Sequence, residues 1–317
     1  LVGSEMCIRD SLWKNRTAAV RRNHGGTKEL KLHFSKMHGL GNDYIYVNCL
    51  EHKLKHPEEV ARIVSDRHFG VGSDGLILIC PSDRADFEMR MFNADGSEGK
   101  MCGNAIRCVG KYLYDNRLTD KTELDIETLS GIKHLSLSVT EGKVDLVTVD
   151  MGYAVLQAAK IPVISESETV IDSPLSVCGT EYRITCVSMG NPHAVTFVPH
   201  TDSLDLEKIG PVFEHHPMFP ERVNTEFIEI MDRSNLKMRV WERGSGETWA
   251  CGTGACAAVT AAVVNGYCDA EKPVTVHLIG GRLTITVSKD FRVRMTGGAT
   301  KVYEGVYELS LIHISEP

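Results

Sequence analysis

The chain has 317 residues and a formal net charge of -7, with 35 Lys and Arg set against 42 Asp and Glu. That length allows about two domains with cores of their own, and the interspersed signs form no basic stripe, so a small molecule is expected as partner and neither nucleic acid nor membrane. No apolar run approaches the roughly 18 to 20 residues of a membrane span, and the first thirty residues hold no signal-peptide core, which points to a cytoplasmic protein.

Residues 1–30 show neither helical nor strand periodicity, and the last eight (SLIHISEP, 310–317) break off a well-patterned region. Both ends read as appended segments to be set aside before the fold is considered, with a basic transit peptide as the alternative for the first. LILIC (76–80), FEMRMF (87–92), HLSLSV (134–139) and KVDLVTVDM (143–151) are apolar or alternate with period two and predict strands. YRITCVSM, HAVTFV, TEFIEIM, LKMRVW, VTVHLI, RLTITV and FRVRMT do the same later in the chain. AIRCVGKYLYD (105–115) and GACAAVTAAVVNGY (254–267) are rich in Ala, Leu, Val and Tyr and predict buried helices. The expected organisation is an N-terminal domain over 31–150, a C-terminal domain over 151–297, and a return strand over 298–309 that rejoins the first domain.

Shifted by 149 residues, the chain matches itself. MRMFNADGSEGKMCGN (89–104) falls without a gap on MRVWERGSGETWACGT (238–253), pairing Arg90 with Arg239, Glu98 with Glu247 and Cys102 with Cys251. The same shift lays GND (41–43) on GNP (190–192). A repeat unit this long is a whole domain.

Ten cysteines in a large chain without export signals are expected to be thiols, most of them small buried hydrophobes: Cys49, Cys80, Cys178, Cys186 and Cys268. Cys7 lies in the first terminal segment. Cys102 and Cys251 each open a predicted helix, whose unpaired N–H groups lower a thiol's pKa and bind a carboxylate. Two such corners facing each other across a cleft give an acid and a base on opposite faces of one Cα, which inversion of a stereocentre without a cofactor requires. Three other readings compete: a zinc site from Cys102, Cys108, Cys251 and Cys256, a dinucleotide fingerprint at Gly252–Ala257, and thiol–disulfide chemistry. The C-x5-C and C-x4-C spacings are loose for zinc, no buried strand precedes the glycines, and no C-x-x-C exists. Cys108 and Cys256 are expected to pack against the core.

KMHGLGNDYIYVN, FNADGSEGKMCGNAIRC, MGNPHAVTF, NTEFIEI and VWERGSGETWACGTGACA together resemble the diaminopimelate epimerase family over roughly residues 33–308. The resemblance implies an α/β fold of two pseudo-symmetric domains, each a sheet wrapped around a central helix, with the active site in the interdomain cleft. It further implies epimerisation of LL-2,6-diaminopimelate to the meso isomer for lysine and peptidoglycan precursors, with no cofactor, no metal and a homodimeric assembly. Cys102 and Cys251 match the two catalytic bases. Gly103, Asn104, Gly252 and Thr253 match the cradle of the reacting carboxylate, and Asn42, Asn93, Asn191, Asn224 and Arg243 match groups that grip the substrate, Arg243 at its distal carboxylate. Glu242 matches the acid that meets the reacting ammonium, and His193 a histidine that tunes one cysteine. Taken alone, Asn42 and Asn191 would equally serve turns after glycine, His193 would be a packed strand residue, and Glu242 with Arg243 a solvated charge pair. Gly75 departs from relatives that carry Gln there. Racemisation of another amino acid such as proline, a non-catalytic binding protein and a redox sensor using Cys102 and Cys251 are the alternatives.

Overall fold

The structure, a computed structural model, describes residues 19–22 and 28–310. Chain contacts divide it into two units. The first takes in residues up to 39, 43–145 and from 299 onward, and the second 40–42 and 146–298. The division falls within the long strand Lys143–Tyr153, whose residues from Leu146 onward pair with Arg292–Gly298 in the second unit.

In the first unit, strand Asn42–Asn48 pairs in parallel with Gly75–Cys80. Parallel neighbours need a crossover, and helix α1 (Pro57–Ser65) supplies it. Proline at its start costs no hydrogen bond, Glu58 and Glu59 favour the positive end of its dipole, and Val60, Ala61 and Val64 are buried with Leu76 and Leu78 in one core. Gly75–Cys80 then pairs antiparallel with Phe87–Asn93. Two-residue strand Glu98–Gly99 folds back on Met91 and Phe92 and delivers the chain to helix α2 (Gly103–Asp115). Helix α2 packs on Lys28–Gly39 and Gly131–Thr140. The final strand, Thr300–Ser310, pairs antiparallel with Lys28–Gly39 from His38 down to Glu29.

The second unit repeats the plan with helices α3 (Leu206–Glu214) and α4 (Gly252–Val264). Helix α4 is apolar all round, as a helix enclosed by a sheet must be, and it touches strands Thr180–Ser188, Pro192–Phe197, Asn224–Asp232, Pro273–Leu278, Gly281–Val287 and Arg292–Gly298. The 149-residue shift carries Pro57–Ser65 onto Leu206–Glu214 and Gly103–Asp115 onto Gly252–Val264. It also conserves register. Ile45↔Leu76, Leu76↔Phe92 and Met91↔Gly99 in one unit become Ala194↔Thr225, Thr225↔Trp241 and Val240↔Thr248 in the other. The ion pair Arg90–Glu98 (2.8 Å) returns as Arg239–Glu247 (2.7 Å).

Several elements differ from the sequence expectation. Each unit has a second helix of only nine residues, too short for its apolar face to stand out. Strand Ala19–Arg22 and the start of Lys28–Gly39 fall in the segment expected to lack periodicity and pair antiparallel with each other. The remainder of residues 1–30, including Cys7, and residues 311–317 lie outside the described residues.

Candidate active site

Each repeated cysteine occupies the last extended position before a helix. Cys102 has φ -130° and ψ 122° and Cys251 φ -115° and ψ 109°, and their carbonyls accept the first helical bonds from Ile106 and Ala255. The N–H groups of the first turn therefore lie at the positive end of each helix.

Around Cys102, Gly103 and Asn104 are buried in the first turn of α2. Arg107, itself fully buried, donates from Nη1 to the Gly103 carbonyl and from Nη2 to Asn104 Oδ1, both at 3.0 Å, and locks that turn. The approach is tight: a Cβ on Gly39 would come within 2.9 Å of Arg107 Nη2 and of the Asn104 carbonyl. Asn93 ends its strand opposite Gly75 and donates to Ser97 Oγ at 2.9 Å. Gly75 is explained by the backbone, since a Cβ there would stand 2.1 Å from the Phe92 carbonyl oxygen. Glutamine cannot enter that position without moving the strand that ends in Asn93.

Around Cys251 the second unit gathers most of the expected residues. Gly190 (φ 95°) and Asn191 turn the chain between Thr180–Ser188 and Pro192–Phe197. Asn191 does more than turn, because its Nδ2 donates to Thr253 Oγ1 (3.3 Å) and its Oδ1 meets His193 Nε2 (3.1 Å). Asn224 is buried, sits opposite His193 in register, and accepts from the Arg243 N–H at 2.9 Å. Thr248 Oγ1 donates to Glu242. The Arg243 side chain is exposed and donates to the Glu221 carbonyl at 3.0 Å. Asn42 lies just beyond Gly41 (φ 85°), where a Cβ would meet the Trp249 ring at 2.9 Å.

The thiol of Cys251 departs from the helix-terminus expectation. Burial, then the charge of Glu242, pushes it well above the usual thiol range, while bonds from Thr253 and from the Gly254 N–H (3.4 Å) pull the other way. Desolvation wins because only 5% of the residue is exposed.

Two carboxylates were missed by sequence reasoning. Glu226, fully buried, holds His193 Nδ1 at 2.7 Å. Glu214 accepts from Trp241 Nε1 and from the Gly244 N–H, both ends of the loop that carries Arg243. Elsewhere Cys108 and Cys256 are fully buried, Cys108 being pushed up to about 11 by desolvation, and Cys49, Cys186 and Cys268 are buried too. Cys80 is half-buried. Cys178 corrects the expectation of burial, being exposed at φ 50° in a tight turn. Among the described residues no group of three or more His, Cys, Asp or Glu could hold a metal, and no helix is long and apolar enough to cross a membrane.

The fold is that of amino-acid racemases and their relatives. A hydroxyproline epimerase from Agrobacterium vitis aligns with TM-score 0.66 at 15% identity over 88% of this chain and 92% of its own. A phenazine biosynthesis protein from Bacillus anthracis aligns with TM-score 0.65 at 20% identity over 87% and 99%. Within that class the sequence is specific: residues 34–157 and 185–302 match the family model described as diaminopimelate epimerase. Proteins of that name from Acetivibrio thermocellus and Methanococcus maripaludis are 59% and 57% identical, over 88% and 87% of this chain and 99% of each relative. The chain belongs to the diaminopimelate epimerase family.

Proposed function

We propose that the chain interconverts LL- and meso-2,6-diaminopimelate by a two-base reaction at one Cα. One cysteine thiolate removes the Cα proton, and the thiol of the other cysteine returns a proton to the opposite face. The proton balance closes, with the first sulfur left protonated and the second ionised, ready for the reverse direction. No cofactor takes part. The family assignment at over 50% identity carries the substrate and the isomerase class, and the duplicated cysteine-capped helices support the two bases.

In this mechanism the first-turn N–H groups of α2 and α4, at Gly103, Asn104, Gly252 and Thr253, hold the reacting carboxylate and stabilise charge as it spreads from Cα. Glu242 meets the reacting ammonium, and His193 tunes Cys251 through Asn191 and Thr253. Asn42, Asn93, Asn191 and Asn224 grip polar groups of the substrate, and Arg243 pairs with the distal carboxylate. A homodimeric, cytoplasmic enzyme serving lysine and peptidoglycan precursors goes with this assignment.

Incubation with LL-diaminopimelate in D2O tests it. Loss of the Cα–H NMR signal together with formation of the meso isomer is expected. Exchange on proline instead, or no exchange on either compound, rejects the assignment.

A further inference from the structure

Resting on the reading of Cys251 as a base, we infer that Glu226 is a positioning residue for that cysteine. It acts through His193, Asn191 and Thr253, a chain of hydrogen bonds that fixes the histidine ring and ends in a donor on the Cys251 sulfur.

The direction of the chain follows from its chemistry. Asn191 donates through Nδ2 to Thr253, so its Oδ1 faces His193, and an amide oxygen can only accept. His193 Nε2 therefore carries a hydrogen. Nδ1 and Glu226 Oε1, 2.7 Å apart, share the remaining proton. Glu226 Oε2 is buried without a hydrogen-bond partner, a place where an ionised carboxylate would go unsolvated, so the proton belongs on Glu226 and is donated to Nδ1 of a neutral ring. Burial raises the pKa of this carboxyl in the same sense. Thr253 Oγ1, accepting from Asn191, turns its own hydrogen to the Cys251 sulfur at 3.6 Å, beside the Gly254 N–H at 3.4 Å. Every donor in the chain points toward the sulfur and favours its thiolate.

The repeat shows that the fold itself does not ask for this carboxyl. The positions 149 residues before Glu226 and His193 are Ile77 and Tyr44, both buried, on strands of the same register. Helix α4 is cut to receive the longer side chain: Gly254 replaces the equivalent Ala105, and a Cβ on it would stand 2.6 Å from Glu226 Oε1. The titratable groups facing Glu226 are His193, Cys186 from Thr180–Ser188, Glu242 at the end of Asn235–Glu242, and Cys251 at the head of α4. Glu242 opposes a thiolate at Cys251, and a protonated Glu226 adds no second charge against it.

The test compares the wild type with Glu226→Ile, the residue its counterpart position holds, and Glu226→Gln, which keeps a neutral donor. Alkylation of Cys251 by iodoacetamide is followed against pH by peptide mass spectrometry, with Cys102 as internal reference, and kcat and KM are measured by Cα–H exchange. Glu226→Ile is expected to move the Cys251 profile upward by about one pH unit, lowering kcat about 10-fold more than it changes KM and leaving Cys102 unmoved. Glu226→Gln should recover most of both losses. An unmoved or downward shift in folded Glu226→Ile overturns the inference, as does a Gln variant no better than Ile, since the carboxylate charge would then be what matters. If Glu226→Ile does not fold, Asn191→Ala cuts the chain between Glu226 and Thr253 while leaving Thr253 beside the sulfur; its Cys251 profile should shift upward too, and an unmoved profile overturns the inference. Alkylation of the free protein needs no turnover. A wild type that exchanges no Cα proton therefore rejects the proposed function separately.

Discussion

Glu226 Oε1 and His193 Nδ1 stand 2.7 Å apart, with neither side chain reaching solvent. The equivalent strands of the other unit carry Ile77 and Tyr44 in the same register. Backbone pairing, helix positions and the Arg–Glu ion pair are duplicated, while the Glu226–His193 pair gives way to Ile77 and Tyr44 at the matching positions. The two cysteines thus share a place at the head of a helix and differ in the residues carried at these two strand positions.

Replacing either cysteine should remove the reaction. In the two-base scheme Cys102→Ala or Cys251→Ala leaves the Cα without a proton acceptor on one face or a donor on the other, and epimerisation is expected to fall by at least about 100-fold. NMR exchange in D2O checks this, and near-normal turnover in either variant would sink the assignment.

The Cys251 thiol should ionise late. Burial raises its pKa above the ordinary value of 9.0. Alkylation at pH 7 is accordingly expected to be slow and still climbing above pH 9, and a plateau below pH 8 would contradict the geometry. The sign for stability follows from the same shift. A group whose pKa is raised by folding gives its full contribution below its unfolded value and loses it as pH rises through the folded one, so this thiol should lower the unfolding midpoint only on the alkaline side.

Arg243→Ala is expected to impair binding far more than folding. Its guanidinium is exposed and bonded to the Glu221 carbonyl, so the stability change should stay within about 0.5 kcal/mol. Loss of a charge-assisted contact to the distal carboxylate, worth about 1.5 to 3 kcal/mol, should raise KM roughly 10- to 100-fold. Unchanged substrate affinity would reject the role given to it.

Gly75→Gln should destabilise the protein. The new Cβ would press on the Phe92 carbonyl, 2.1 Å away on the paired strand, and displacement of a packed backbone costs about 1 to 3 kcal/mol. Urea denaturation would show the lowered midpoint. An unchanged midpoint would mean that the two strands separate there at no cost.

The helices after Cys102 and Cys251 were legible because Ala, Leu and Val over ten or more residues leave a buried helix as the natural solution. The long strands were legible from alternation, and the repeat from Arg90, Glu98 and Cys102 recurring at one spacing. Helix α1 was not, since PEEVARIVS buries only one short stripe and its start rests on a proline that equally marks a turn. Glu226 was hidden for a different reason. In TEFIEI it shares a period-two face with Ile228 and Ile230, but the alternation gives no sign of the partner that lets a carboxyl stay inside, His193 on the neighbouring strand. The thiol of Cys251 was misjudged because a sequence displays the helix terminus that lowers its pKa but not the burial that raises it.

The long pairing of Thr300–Ser310 with Lys28–Gly39 has a consequence for how the first unit folds. Its two partners lie on either side of residues 146–298 in sequence, the bulk of the second unit. Pairing over so long a separation is slow, because loop entropy is lost before the contacts repay it. Residues 43–145 can gather around their own nearer pairings first, and until Thr300–Ser310 arrives one edge of Lys28–Gly39 stays open to any other strand.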